Sequence, residues 1–324
     1  MQRVSEGVYQ LEVPMRHNPL GCTYSYLLLD SAALIDTGVG TSQAREALKN
    51  QIETAGVNPS EIKHVILTHL HGDHVGLVDF VRSISGAKVY AHFSVKDMQN
   101  EMAESWKGLF KEAQNELKML GGAGYLSLFG RFERFLRRPR PFTEIDEALD
   151  DAEDIMLDGS SLKVFWTPGH APEHICLYDE ERRILYSGDH VLPRITSHIS
   201  LHTFQRRDPL REYLDSLDRL KGLPVDAVLP AHEHIFHDLD GRIQELKLHH
   251  ASRCDEIKGS IRNREKTVFQ ISEEVSWDTK PWSQMDFWSK RMAAAETLAH
   301  LVYLRNKGEV EEKLKDGILY YGLI

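Results

Sequence analysis

The stretch His69-Leu70-His71-Gly72-Asp73-His74 places four side chains that can bind a metal within six residues. It follows the apolar run His64-Val65-Ile66-Leu67-Thr68, which predicts a strand that ends in a ligand-bearing loop. The next residues, Val75 to Val81, have helical spacing, so Asp73 and His74 are predicted to lie in the first turn of a helix. Imidazole suits zinc and iron(II), and a carboxylate adds negative charge. The stretch therefore predicts a metal site whose ligands come from a strand end and from a helix.

Four other strand-like runs each end near a further potential ligand. Each run is rich in β-forming residues and stops at a carboxylate or at a small or kinked residue followed by a ligand type. They are Ala32 to Asp36, Ser161 to Thr167 before Pro168-Gly169-His170, Arg183 to Ser187 before Gly188-Asp189-His190, and Val225 to Leu229 before Pro230-Ala231-His232. Ligands at one edge of a sheet can meet around one point even when they are far apart in sequence. These runs could supply the remaining ligands that a site with two metals requires.

The order of these motifs resembles the metallo-β-lactamase fold superfamily, which has an aspartate after an early strand, His-x-His-x-Asp-His, and then separate His, Asp and His motifs. The resemblance covers roughly residues 1 to 238 and implies an α/β (α+β) fold, a four-layer αββα sandwich with the metals at one edge. It further implies that Asp36 and Thr68 orient the residues that bind metal. The implied ligands are His69, His71 and His170 for one metal, Asp73, His74 and His232 for the second, and Asp189 as the bridge.

Two departures from other members bear on the subtype. True β-lactamases of the superfamily often use a cysteine ligand, whereas all three cysteines here lie outside the ligand positions: Cys22, Cys176 and Cys254. The di-iron oxygen reductases have an acid where His71 stands and carry a flavin domain for which this chain has no room. The pattern instead resembles the glyoxalase II type, whose members mostly hydrolyse thioesters, lactones or phosphoesters. Glu233-His234 follows His232, where the family more often has glycine, and predicts a more crowded or polar floor beside that ligand.

The expected activity is hydrolysis of a small ester-like acyl substrate, with a thioester or lactone as the first choice. Two divalent metals about 3.5–4 Å apart lower the pKa of a bridging water toward about 7, giving hydroxide, and polarise the scissile carbonyl. Zinc is expected first, with iron(II) and manganese as alternatives, because a site rich in nitrogen and oxygen accepts all three. Asp73, Asp189 and His190 are predicted to take part in catalysis, with Asp73 as a candidate proton carrier. The sequence contains no Gly-x-Ser-x-Gly motif, in agreement with a nucleophile that is not a side chain.

Other histidines leave two interpretations open. His190, together with His198 and His202 in the loop region after it, could face the substrate or occupy hydrogen-bonded structural positions. Four residues nearer the C-terminus are expected to pack or to lie at the surface, because the two metals already have their ligands: His249, His250, Glu296 and His300.

Bulk properties exclude several classes of protein. The chain has 324 residues, 41% of them hydrophobic, and a net charge of −10, which allows a substantial core and a second domain. The absence of a long apolar run, of a signal-peptide-like start and of a disulfide framework predicts a cytoplasmic protein that does not use a membrane. The acidic balance argues against a general nucleic-acid binder.

A segment of about residues 97–142 is predicted to be a helical insert in the catalytic domain. Such an apolar segment must bury its side chains, either on the sandwich, on a partner subunit in a homodimer, or as an apolar wall of the substrate pocket. Its larger apolar residues are Trp106, Leu109, Phe110, Leu117, Leu120, Tyr125, Leu128, Phe129, Phe132 and Phe135.

Residues 239–324 are predicted to form a separate, mostly helical module. Helical stretches are expected over 239–258, 267–275 and 285–306, followed by a hairpin with its turn at Asp316-Gly317. Helices followed by a hairpin resemble a winged-helix appendage. The module is interpreted as a cap beside the active site or as a platform for nucleic acid, and the second interpretation supports an alternative function, a metal-dependent nuclease or phosphodiesterase.

Overall fold

The structure, a computed structural model, describes residues 1–16, 18–95, 111–127, 144–202, 205, 207–278 and 280–324. The described residues form two compact units. The first contains the described residues within 1–99, 142–197 and 216–243, and the second contains those within 100–141, 198–215 and 244–324. The second unit thus combines residues of the insert and of the segment before Ser216 with the C-terminal residues.

Two β-sheets form the framework of the first unit. The first sheet contains β1 (Gln2–Ser5), β2 (Val8–Pro14), β3 (Cys22–Leu28), β4 (Ala33–Ile35), β5 (His64–Ile66), β6 (Lys88–His92) and β7 (Glu147–Leu149), in that order. The second has the order β12-β11-β10-β9-β8, with β8 Asp154–Leu157, β9 Ser160–Trp166, β10 Ile175–Asp179, β11 Ile184–Gly188 and β12 Ala227–Pro230. The strands predicted before each ligand motif are confirmed.

Strand direction brings the ligand motifs together. β4 and β5 are parallel neighbours in the first sheet, and β11 and β12 are parallel neighbours in the second. β9 is antiparallel to β10, which is antiparallel to β11, so β9 and β11 run in the same direction. The carboxyl ends of β9, β11 and β12 therefore lie at the same edge of their sheet, where binding residues gather in open α/β sheets.

The described helices are α1 (Ser42–Thr54), α2 (Gly72–Val75), α3 (Val78–Ser85), α4 (Pro209–Leu220), α5 (Leu239–Ser260), α6 (Val268–Glu274) and α7 (Phe287–Asn306), with a helical segment over residues 111–119. Short 3-10 helices within the described ranges span Pro59–Glu61, Ala123–Tyr125 and Trp282–Gln284. None of these helices combines the length and the apolar composition that crossing a bilayer requires.

Alternation along the strands builds two cores in the first unit. Successive strand residues point to opposite faces, so Ile35 packs between the two sheets while its neighbour Leu34 packs against α1 and α3 on the outer face of the first sheet. On the second sheet, the last turns of α4 lie beside the end of β9, where Ser216 donates to the carbonyl of Pro168 at 2.9 Å. Helices thus cover the outer faces, in the αββα order that the resemblance implies.

The helix predicted after His71 is interrupted. Asp73 and His74 lie in the four-residue helix α2, as expected, but a second helix begins only at Val78. Here the carbonyl of His74 accepts from the N–H and the hydroxyl of Thr37, at 2.8 and 2.9 Å, and a Cβ on Gly76 would lie 2.1 Å from the backbone nitrogen of Gly40. Helical spacing could not reveal these contacts with a distant loop.

The second unit has the element order of a winged helix: α5, β13 (Lys266–Thr267), α6, α7, and the hairpin of β14 (Val310–Lys315) and β15 (Ile318–Leu323), with sheet order β13-β15-β14. The three helical stretches predicted from the sequence are confirmed within two residues. The predicted hairpin turn is confirmed as well, and its residues Asp316 and Gly317 both have positive φ, as a tight two-residue turn requires.

The described part of the insert packs on this module, and not on the sandwich as one of the expectations had it. The N–H of Phe269 donates to the carbonyl of Leu120 at 3.0 Å. The rings of Tyr125 and Phe269 lie 5.6 Å apart, and Lys290 donates to the hydroxyl of Tyr125 at 3.4 Å. The other predicted apolar residues of the insert lie outside the described residues: Trp106, Leu109, Phe110, Leu128, Phe129, Phe132 and Phe135.

Candidate metal centre

Seven side chains at the ligand motifs form two neighbouring groups in the first unit. Within each group the potential ligand atoms all lie within 4.8 Å of one another. The loop after β5 and helix α2 supply four of the residues, and the loops after β9, β11 and β12 supply one residue each. One group is His69, His71, His170 and Asp189, and the other is Asp73, His74 and His232.

Asp189 lies between the two groups. Its Oδ2 is 3.5 Å from Nε2 of His170 and 3.9 Å from Nε2 of His69. Its Oδ1 is 3.3 Å from Nε2 of His232 and 3.5 Å from Nε2 of His74. One carboxylate oxygen therefore faces each group, which is the placement that a bridging ligand requires.

Three buried atoms at the centre of the site suit a bound cation. Nε2 of His69, Nε2 of His74 and Oδ1 of Asp189 are buried and have no hydrogen-bond partner among the described residues. An unsatisfied buried polar group costs about 1–3 kcal/mol, which a bound cation would offset. Imidazole nitrogens with carboxylate oxygens are also the donors that zinc, iron(II) and manganese accept. The residues therefore fit divalent metal ions.

Electrostatics at the site also favour cations. Burial and the neighbouring histidines lower the pKa of His69 well below its usual value, which leaves the neutral imidazole that binds metal. Burial alone would lower the pKa of His74, but the carboxylates of Asp189 and Asp36 raise it well above its usual value. The negative field that attracts a proton to His74 would equally attract a metal ion.

Asp36 and Thr68 lie directly behind two of the histidines. The Nδ1 of His74 is 2.8 Å from Oδ2 of Asp36, so an Nδ1–H donates to this carboxylate, and in the neutral ring that binds metal the lone pair is on Nε2, which faces Asp189. Thr68 donates both its N–H and its hydroxyl to Asp36, at 2.9 and 2.7 Å, and its hydroxyl lies 3.0 Å from Nδ1 of His69. Because that hydroxyl proton is used, Thr68 accepts from His69. Both ligand histidines thus have an assigned tautomer.

Two further residues support the site and were missed in the sequence analysis. The buried Glu173 accepts the backbone N–H between the first two histidines of the motif, at 3.1 Å. The buried His174 accepts the backbone N–H of Asp189 at 3.2 Å, while its Nδ1 lies 2.9 Å from the hydroxyl of Thr167. A signal was present, because the acid and the imidazole follow His170 by three and four residues.

The two remaining candidates of the first unit differ in exposure. The side chain of Asp73 is 26% exposed, with Oδ2 3.6 Å from Nε2 of His232, so it lies at the open rim of its group. His190 is fully buried, its ring lies 5.7 Å from that of His174, and burial lowers its pKa to about 3. A neutral, enclosed imidazole favours a structural position for His190 over contact with a substrate.

His198 and His202 belong to the second unit and each faces a carboxylate there. The Nδ1 of His198 lies 3.1 Å from Oε2 of Glu296, and the Nδ1 of His202 lies 3.1 Å from both oxygens of Glu116. These contacts favour the hydrogen-bonded structural interpretation. Among the four residues expected to pack or to lie at the surface, His250 and His300 are buried, with Nδ1 of His250 3.1 Å from Nε2 of His300.

Residues 20–232 match the metallo-beta-lactamase superfamily, and the chain belongs to this superfamily. It is 27% identical over 278 residues to the probable metallo-hydrolase YqjP of Bacillus subtilis, with 84% of this chain and 85% of the relative covered. It is 26% identical over 329 residues to the beta-lactamase-like protein 2 homolog of Caenorhabditis elegans, covering 98% and 88%. The atrochrysone carboxyl ACP thioesterase AgnL7 of Paecilomyces divaricatus is 24% identical over 286 residues, covering 86% and 74%.

Solved structures are similar over nearly the whole chain. A metallo-beta-lactamase family protein from Thermus thermophilus is 30% identical, with a TM-score of 0.79 over 99% of this chain and 100% of that one. A beta-lactamase domain protein from Burkholderia ambifaria has a TM-score of 0.84 at 24% identity, covering 100% and 94%. The fold and the family define a metallo-β-lactamase-superfamily hydrolase with a metal-binding site.

Proposed function

We propose that this hydrolase is a dinuclear enzyme of the glyoxalase II type that cleaves a small acyl substrate, a thioester or a lactone. The observation that carries the proposal is the position of Asp189, which presents one oxygen to each of two separate ligand groups. Two divalent ions, Zn²⁺ first, would lower the pKa of a water toward about 7 and polarise the scissile carbonyl. We also propose that the protein is cytoplasmic.

The chain itself contributes orientation and proton transfer. Asp36 and Thr68 hold the imidazoles of His69 and His74 in the tautomers whose Nε2 atoms face Asp189. Asp73, partly exposed at the rim, is proposed to accept the proton of the attacking water as it adds to the acyl carbon. The same proton then passes to the sulfur or oxygen of the leaving group as the acyl bond breaks, so that the carboxylate is regenerated.

The acyl substrate class is supported by two observations of different kinds. One relative with 24% identity bears a name that describes a thioesterase of a carboxyl-ACP substrate. The chain also carries a net charge of −10, which disfavours polyanionic substrates such as nucleic acids.

The nuclease alternative receives no support from the C-terminal module. In a winged helix the third helix enters the DNA groove, but in α7 the exposed positions are only Ser289, Met292, Arg305 and Asn306. On the hairpin, Lys313 and Lys315 both pair with Glu265. Lys266 is buried in β13, and its amino group pairs with Glu274.

Metal analysis combined with a substrate panel tests the proposal. The metal-replete protein is expected to contain close to two divalent ions per chain and to hydrolyse thioesters or lactones. A chelator should abolish the activity, and Zn²⁺ should restore it. The matched variants are His69→Ala, which removes a ligand and should lower kcat by several orders of magnitude, and His237→Ala, which replaces an exposed histidine that binds a backbone carbonyl.

A metal content of one or less would contradict the dinuclear centre. Cleavage of phosphodiesters without acyl hydrolysis, together with nucleic-acid binding that weakens steeply as salt rises, would replace the proposed activity by that of a nuclease.

A further inference from the structure

We propose that Glu233 is a positioning residue that holds together the loops carrying Asp189 and His232. It thereby sets the affinity for the cation held by the group of Asp73, His74 and His232. The inference rests on the two-cation centre proposed above. It concerns a side chain that contacts neither substrate nor cation and that follows His232 directly in the chain.

The backbone of Glu233 adopts an unfavourable conformation. Its φ is +72°, in the left-handed region, where a side chain crowds the backbone and glycine is the usual residue. Strained residues of this kind persist only where surrounding contacts hold them, and they concentrate at functional sites. The contacts of the Glu233 carboxylate are therefore the feature to explain.

That carboxylate binds the loop that follows Asp189. Its Oε2 accepts the backbone N–H of Arg194 at 2.9 Å and of Ile195 at 3.1 Å. Its Oε1 accepts from Nε of Arg194 at 3.2 Å. Only 12% of the Glu233 side chain is exposed, so these charge-assisted bonds are largely protected from solvent.

Arg242 holds the opposite side of the same loop. Its Nε donates to the carbonyl of Leu192 at 2.7 Å, and a second nitrogen donates to the carbonyls of Arg194 and Ile195 at 2.8 and 2.9 Å. A carboxylate thus takes the free N–H groups of this short loop and a guanidinium takes its free carbonyls. The two side chains form a clamp, Glu233 and Arg242, around residues 192–195.

The clamp completes a series of links between the two ligand loops. Where β11 and β12 end, the N–H of Ala231 donates to the carbonyl of Gly188 at 2.9 Å. One residue further along each strand, Oδ1 of Asp189 lies 3.3 Å from Nε2 of His232. The next contact between the two loops, on the far side of this ligand pair, is made by the bonds from the Asp189 loop to Glu233. Because the ligand pair lies between two such links, loosening the outer one should let the pair separate.

The test measures Zn²⁺ affinity directly, by competition with a chromophoric chelator, in the full-length protein. Glu233→Gly removes the carboxylate and also relieves the backbone strain, and we expect the weaker of two Zn²⁺ dissociation constants to rise about 10-fold or more. Glu233→Gln should lie between this variant and wild type, since one amide oxygen can still accept the loop N–H groups. The visible spectrum of the Co²⁺-substituted protein should change in parallel.

Two control variants separate positioning from general effects on the fold. Asp146→Asn neutralises a similar carboxylate directly before β7, which accepts the N–H of Val89 and pairs with Arg82. Ala152→Gly relieves a positive φ of +60° away from the site. Both should leave Zn²⁺ affinity at the wild-type value, and the second should raise the Tm.

The outcomes distinguish this inference from the function on which it rests. Wild-type protein that binds only one Zn²⁺ contradicts the dinuclear centre itself. If the wild type binds two Zn²⁺ ions and Glu233→Gly binds both with the wild-type affinities, the positioning role alone is overturned. Should Glu233→Gly fail to fold, Arg242→Lys supplies the test, because lysine keeps the charge but loses the fork that reaches three carbonyls. Arg242→Lys should weaken the binding of the same Zn²⁺ ion, and an unchanged Zn²⁺ affinity would count against the clamp.

Discussion

At the scale of single residues, the metal centre depends on which nitrogen of each imidazole carries a proton. Asp36 is a residue that only accepts hydrogen bonds when ionised, and it receives three of them from Thr68 and His74. This acceptor fixes the proton of His74 on Nδ1 and orders the hydroxyl of Thr68, which in turn orients His69. A residue outside the candidate ligand set thus determines the protonation of two candidate ligands.

Asp36→Asn should therefore impair metal binding. The amide must place an N–H against Thr68 or His74, so one of the two donors loses its acceptor. We expect a loss of roughly 10–100-fold in metal affinity or kcat, measured by chelator competition and steady-state kinetics. Asp179→Asn is the matched control. Asp179 is a buried carboxylate at the end of β10, and it accepts the N–H of Arg182. The role of Asp36 is wrong if both variants bind metal like the wild type.

At the scale of elements, the ligands converge because the strands that precede them run in the same direction. For the loop after β11, strand direction alone does not place the ligand, because Asp189 directly follows Gly188, the last residue of the strand. Gly188 has a φ of +50°, and a Cβ there would lie 2.6 Å from Nε2 of His174 and 3.0 Å from the side chain of Thr68. The absence of a side chain at this position lets β11 approach the residues behind the ligands.

Gly188→Ala should displace Asp189 and destabilise the fold. Overpacking of this kind costs roughly 1–3 kcal/mol, and the positive φ adds to it, so we expect a lower Tm and a large loss of activity. Gly222→Ala is the control, because Gly222 has a φ of +78° but nothing within 4 Å of the added Cβ. It should lose some stability and keep full activity. Equal effects of the two substitutions would show that strain, and not contact with His174, governs Gly188.

At the scale of the whole molecule, the second unit is assembled from segments that are far apart in sequence. Its polar centre is Glu296 on α7, which faces His198 at 3.1 Å and Arg253 of α5 at 3.7 Å. Burial alone would raise the pKa of Glu296, but the hydrogen bond from His198 and the charges of His198, His300 and Arg253 lower it to about 2. The ionised carboxylate therefore stabilises this unit.

The sign of the resulting pH dependence follows from the lowered pKa. An unfolded glutamate titrates near 4.5, so the stabilisation is complete above that pH and is lost as pH falls from 4.5 toward 2. Glu296→Gln should lower stability by up to roughly 3 kcal/mol near neutral pH, and its Tm should approach that of the wild type at pH 3. The control is Glu311→Gln on β14, where the side chain is 40% exposed. A difference in Tm that does not change with pH would contradict this prediction.

The sequence by itself determined the features that depend on neighbouring residues. Alternating apolar residues ending in glycine, proline or a ligand marked the strands, and helical spacing with an Asp-Gly turn marked α5, α6, α7 and the hairpin. The ligand motifs could be named because each lies at the end of such a run. These signals are local, so they survive in the sequence without knowledge of the fold.

Only the tertiary structure decided what depends on distant contacts. The break between α2 and α3 lies where Thr37 and Gly40 contact His74 and Gly76, and the insert packs on the C-terminal module through Phe269. The strained φ of Glu233 persists beside bonds to a loop that lies 38 and 39 residues earlier in the chain. Such contacts leave no period in the sequence, because their energy depends on which surfaces meet after the strands have paired.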